Sequence, residues 1–172
     1  GRRIGLGIAM VQVVGASCVA AATGGADRPL IGVYDVKAAH GMGPTVEGLV
    51  KGLRDDGHAV QAFNHLGLLS LLPFDIVILP GMHKPGLAPE AWRENLDAYV
   101  RAGGSILQTW HHHILSEVSV GIKRVYGQRR MVVKPGHPAV AGLSDFEAGF
   151  QDHIVERIGP GGTVILENTR GE

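Results

Sequence analysis

The sequence predicts an α/β fold, a three-layer sandwich with a mainly parallel sheet. Three observations carry that reading. Short apolar, β-branched runs alternate with amphipathic segments from Leu30 onward. The runs are apolar on both faces, as strands are when helices cover the sheet on each side. Glycine is abundant, 26 residues in 172, which suits a chain that turns tightly between strands and helices.

The elements follow in order. "LIGVYDV" is a first strand. "GPTVEGLVKGLRDDG" places Val46, Leu49, Val50 and Leu53 on one helical stripe, with Gly57 as the stop. "HAVQAF" is a second strand, and "NHLGLLSLLP" a loop with room for one helical turn. "FDIVILP" is a third strand, apolar through its middle. "APEAWRENLDAYVRAGG" is a helix with Pro89 near its start, Glu90 in the first turn, Arg101 in the last and Gly103 beyond the end. Its inner face is Trp92, Leu96, Tyr99 and Val100. "SILQTW" is a fourth strand. Beyond Trp110 the pattern is weaker: "ILSEVSVGI" reads as a short helix, and "RRMVVKP" and "GTVILEN" as further strands. The C-terminal part reads as incomplete, because another strand or hairpin is expected after "NTRGE".

Residues 1–27 differ from the rest. Arg2 and Arg3 are followed by no charge until Asp27, with an apolar stretch and a small-residue end between them. That is the build of an export signal or membrane anchor, with a small-x-small cleavage site near Ala22. The expected organisation is therefore an export segment over 1–27 and one domain over 28–172. The mature domain is expected to be exported, touching a membrane only through the N-terminal segment. Lys plus Arg equals Asp plus Glu, 16 each. A balanced charge gives no reason to expect nucleic acid, which needs a basic face to displace counterions, and it is not an expected partner. A homo-oligomer is left open. The one cysteine, Cys18, lies in the leader. The domain after it has no disulfide, thiolate ligand or thiol nucleophile.

The imidazoles carry the functional reading. Parallel sheets bind ligands at the carboxyl ends of their strands. After the first strand comes "DVKAAHGMG" with Asp35 and His40; after the second, "NHLG" with Asn64 and His65; after the third, "PGMHKPG" with His83 and Lys84; after the fourth, Trp110, His111, His112 and His113. His58, by contrast, starts the second strand and belongs at the opposite edge. A histidine-lined cleft suits acid–base chemistry near neutral pH, or a divalent metal as cofactor. No HExxH or other fixed ligand spacing is present. The competing reading is that loops are polar and tolerate histidine.

"FDIVILP", "YVRAGGSIL", "HPAVAGLSDF" and "DHIVE" together resemble the ThuA-like branch of the class I glutamine amidotransferase-like superfamily, over Leu30 to Glu167. The resemblance implies a flavodoxin-like sandwich and a sugar-related role, with a carbohydrate as the small-molecule partner. It draws attention to His137, Pro138, Gly142, Leu143 and Phe146, then Asp152 with His153. Amidotransferases of the superfamily carry a cysteine on a sharp elbow after the strand matching "SILQT". Here Trp110, His111 and His112 stand there, so thioester chemistry is excluded. His111, His153 and Asp152 are the candidate catalytic residues, Asp152 orienting an imidazole. His40, His83, Trp110, His113 and His137 are the candidate substrate-binding residues, Trp110 as a stacking platform for a sugar ring. A non-catalytic domain that binds a carbohydrate or a protein is the alternative.

Overall fold

The computed structural model describes residues 11–15, 28–35, 46–80, 91–109, 119–124, 127, 129–148 and 153–171; for 11–15, 109, 119–124, 153 and 154 it describes the backbone. The chain divides into two units, Val11–Trp110 and, after it, His111–Glu172 together with Gly1–Met10.

The first unit is a flavodoxin-like α/β sheet with helices. Its elements are β1 (Val11–Gly15), β2 (Leu30–Tyr34), α1 (Val46–Asp55), β3 (Ala59–Phe63), α2 (Leu68–Leu71), β4 (Ile76–Leu79), α3 (Trp92–Arg101) and β5 (Ser105–Thr109). The sheet order is β1-β5-β4-β2-β3. β2, β3, β4 and β5 are parallel, and β1 is antiparallel on the outer side of β5. Every strand and helix read from the sequence between Leu30 and Thr109 is present. β1 is an addition: part of the apolar N-terminal segment forms a strand, with Val11 opposite Thr109 and Gly15 opposite Ser105.

Strand alternation sorts the core onto two faces. Ile31 and Val33 of β2, Val60 of β3 and Ile78 of β4 point to one side, where Val46 and Val50 of α1 cover them. Leu49 and Leu53 flank that stripe, half-buried. Glu47 is exposed. The other side takes Val77 and Leu79 of β4 and Ile106 of β5, with Leu66, Leu71, Phe74, Trp92, Leu96 and Tyr99 buried in the layer that α2 and α3 supply. Val100, expected on the inner face of α3, is only half-buried.

Both long helices end as their glycines predict. Gly57 has φ +87° and Gly103 φ +101°, a region that costs glycine nothing and other residues strain. At α1, Gly57 N–H donates to Arg54 O at 2.9 Å and His58 N–H to Leu53 O at 3.0 Å. At α3, Gly103 N–H donates to Val100 O and Gly104 N–H to Tyr99 O, each at 3.0 Å. These paired bonds satisfy the last carbonyls of each helix and turn the chain into the next strand.

The amino edge of the sheet is tied by Asp75. Its carboxylate accepts from Leu30 N–H at 2.7 Å, its own N–H donates to Leu30 O at 2.9 Å, and its carbonyl accepts from Ser105 N–H at 3.0 Å. One residue thus joins the starts of β2, β4 and β5, and the long loops leave from the other edge.

In the second unit, β7 (Arg130–Val133) pairs antiparallel with β10 (Leu166–Asn168) and with β8 (Phe146–Glu147), and β6 (Ser119–Arg124) pairs antiparallel with β9 (His153–Ile158). "RRMVVKP" is a strand as expected. Two expectations need correction. "ILSEVSVGI" is not a helix through its end: Ser119–Ile122 belongs to β6, whose backbone is satisfied by β9. "GTVILEN" is a strand over Leu166–Asn168 alone, since only those residues face β7.

Candidate binding edge

The parallel strands bring their carboxyl ends to one edge. Tyr34 is level with Phe63, Val33 with Ile78, Ile78 with Leu107, and Leu79 with Gln108. β2 and β4 are neighbours, yet the chain leaves β2 for β3 on one side and β4 for β5 on the other. That is a topological switch point, where diverging loops open a crevice at the carboxyl edge. The segments after β2 and β4, which carry His40 and His83, leave from strands about 4.8 Å apart.

Chain length limits how far each candidate is from its strand end. At about 3.5 Å per residue, His111 lies within roughly 7 Å of chain from Thr109, His83 within roughly 14 Å of Leu79, and His40 within roughly 21 Å of Tyr34. His40, His83, Trp110, His111, His113 and Asp152 themselves lie outside the described residues. His153 is the first residue of β9, opposite Arg124. The boundary between the two units falls between Trp110 and His111.

His65 leaves the carboxyl end of β3, as its sequence position requires. It is exposed, and its Nδ1 accepts from Gly67 N–H at 2.9 Å. The ring thereby fixes the backbone entering α2, and its Nε2 is the nitrogen left for solvent or ligand. His58 precedes β3 at the amino edge, and its N–H helps close α1. The two histidines on β3's flanks thus sit at opposite edges of the sheet.

The last row of the sheet holds a residue that the sequence reading passed over. Phe63, Tyr34, Leu79 and Gln108 fall on one face at the carboxyl edge. Tyr34 packs its ring against Phe63, centroids 5.6 Å apart, and burial raises its phenol pKa. Gln108 is 3 % exposed and its Nε2 has no hydrogen-bond partner among the described residues. The available signal was one amide inside an otherwise apolar strand.

His137 lies in the second unit and has a structural role. It caps a 3₁₀ turn over Pro138–Val140, with Nδ1 accepting from Ala139 N–H at 3.1 Å and Pro138 in the first turn. Proline suits that position because its missing N–H would find no partner there. Gly142, at φ +80°, ends the segment. The "HPAVAGL" block is therefore a capped turn whose residue types are set by backbone geometry. Beside it is an open groove of about 840 Å³, lined by His137, Pro138, Val140, Leu143, Ser144 and Asp145 among others. The imidazole's Nε2 is its remaining polar atom.

Asp145 fastens this groove to β7. Its Oδ1 accepts from Val133 N–H at 3.0 Å, and its Oδ2 is 3.5 Å from Arg130 Nη2. The ion pair is exposed and contributes little; the bond to the backbone matters more. Asp145→Ala is expected to cost about 1 kcal/mol, measured by denaturant unfolding. Asp145→Asn, which keeps an acceptor oxygen, should recover most of it. Equal losses in the two variants would assign the effect to charge instead.

Among the described residues, no group of three or more His, Cys, Asp or Glu side chains is placed to hold a metal ion, and no helix is long and apolar enough to cross a membrane. The fold and its edge define a flavodoxin-like α/β unit with a topological switch point between β2 and β4. No protein-family model matches the chain, and no curated protein was found to be similar to it.

Proposed function

We propose that the chain is an exported ThuA-like domain that binds or processes a carbohydrate at the carboxyl edge of its parallel sheet. The observation that carries this is the switch point between β2 and β4, since ligands of open parallel sheets bind at such a point and the His40 and His83 segments follow these two strands in the sequence. Sugars offer hydroxyls to imidazole and amide groups and apolar C–H faces to aromatic rings. His40, His83 and His113 are assigned to hydroxyl recognition and Trp110 to stacking. Where the ligand is also processed, His111 serves as proton donor or acceptor, since imidazole titrates near neutral pH. Asp152 with His153 is proposed as a separate acid–base pair of the second unit, and His137 keeps its turn-capping role there.

A non-catalytic binding domain is the second reading. It is favoured by the described histidines themselves: His65 and His137 each commit Nδ1 to a backbone N–H two residues on. Calorimetric titration with glucose, galactose, maltose, sucrose and lactose, alongside product assays and elemental analysis, separates the two. Binding with turnover that is lost in His111→Ala at an unchanged unfolding temperature supports the enzyme. Binding without turnover supports the binding domain. No heat with any of the five sugars would count against both.

A further inference from the structure

We infer that Gln108 is a ligand-positioning residue, its side-chain amide donating to an oxygen of the sugar held at the carboxyl edge. This rests on the carbohydrate reading of that edge. Gln108 is in the last row of β5, beside Leu79 of β4 on one side and opposite Gln12 of β1 on the other. It is on the same face as Tyr34 and Phe63 and one residue from the end of its strand. The row is otherwise hydrocarbon and aromatic ring where its side chains are described, and Leu79 is fully buried.

An amide is a poor choice for such a position. Burying an NH₂ without an acceptor costs more than filling the space with methionine or leucine, which have similar volume. Gln108 is 3 % exposed, and Nε2 is the one buried side-chain atom without a partner among the described residues. Nearly all buried polar groups are paired, so an orphan needs a specific cause. Position supplies one here. At the carboxyl edge Gln108 is two residues before Trp110 and three before His111, at the crevice-side end of the strand. A sugar hydroxyl or ring oxygen is an acceptor that an NH₂ can satisfy, and the amide is a donor that does not titrate. It would orient the ligand at any pH at which the fold persists, leaving proton transfer to the imidazoles.

The test compares wild type with Gln108→Met and Gln108→Asn, reading thermal unfolding and calorimetric titration with the same five sugars. Gln108→Met is expected to raise the unfolding temperature by about 2–4 °C, because it removes an orphaned donor. It is also expected to weaken sugar binding at least tenfold, with partial recovery in Gln108→Asn. A side chain that only packs would not show recovery by the amide. An unfolding temperature that stays level or falls in Gln108→Met would overturn the inference, because the amide would then be satisfied within the protein. Unchanged affinity in Gln108→Met would overturn it while leaving the carbohydrate reading in place. Absence of binding by wild type would overturn both.

Discussion

Tyr99→Ala is expected to lower stability by about 3–5 kcal/mol, the range for emptying a large aromatic site in a core. In a domain of this size that is a fall in unfolding temperature on the order of 10 °C. Tyr99 is 1 % exposed and lies where α3, β5 and the segment before β4 meet. Its hydroxyl donates to Phe74 O at 3.0 Å. Its ring covers Gly104 so closely that a Cβ there would be 2.1 Å from the ring. Phe74 in turn covers Gly32 of β2, where a Cβ would be 2.7 Å from its ring, and it packs on Phe63 with centroids 5.0 Å apart. Removing Tyr99 therefore opens a cavity and frees a buried carbonyl at once. Tyr99→Phe should cost about 1 kcal/mol, since only the hydrogen bond goes. Burial pushes the Tyr99 phenol up to about 12, partly opposed by the hydrogen bond with the Ser105 backbone, with the Asp75 carboxylate adding a smaller rise. The unfolded phenol ionises near pH 10. The contribution of Tyr99 is thus complete below about pH 10 and is lost as pH climbs toward 12. Tyr99→Phe should flatten that alkaline decline, which unfolding curves between pH 9 and about 12 would record.

The second large effect concerns binding. His40→Ala combined with His83→Ala is expected to reduce sugar affinity at least a hundredfold, about 2.7 kcal/mol, with the unfolding temperature held within about 2 °C. The two positions follow β2 and β4, the strands on either side of the switch point. Both lie outside the described residues, and the described core is built without them, so removing their rings should leave that core intact. His58→Ala is the matched control, because His58 precedes β3 at the amino edge. Equal loss from His58→Ala would show that imidazoles matter without regard to edge.

What could be read in the sequence was what local chemistry determines. α1 and α3 were legible because their apolar stripes keep helical spacing and their stop glycines sit at positive φ. The four parallel strands were legible because both of their faces are covered, so their residues are apolar without alternation. The shared edge followed from parallel direction alone. Where structure depends on distant partners, the sequence was ambiguous. β6 pairs with β9, Ser119 opposite Ile158 and Arg124 opposite His153, and nothing near Ser119 announces a partner so far along the chain. β1 was hidden because an apolar, small-residue run suits a leader and an edge strand equally. Gln108 is not legible from residue type, because its signal is burial without a partner among the described residues. His137 was singled out for chemistry, yet its Nδ1 serves as a turn cap, and residue type alone does not separate those roles.

The most direct measurement is the response of each histidine ring to sugar by heteronuclear magnetic resonance. With a saturating sugar, the ring signals of His40, His83 and His111 should move together, and those of His58 should stay in place. If His58 moves with them, or if the three respond at different sugar concentrations, the rings do not border one crevice at the carboxyl edge of the sheet.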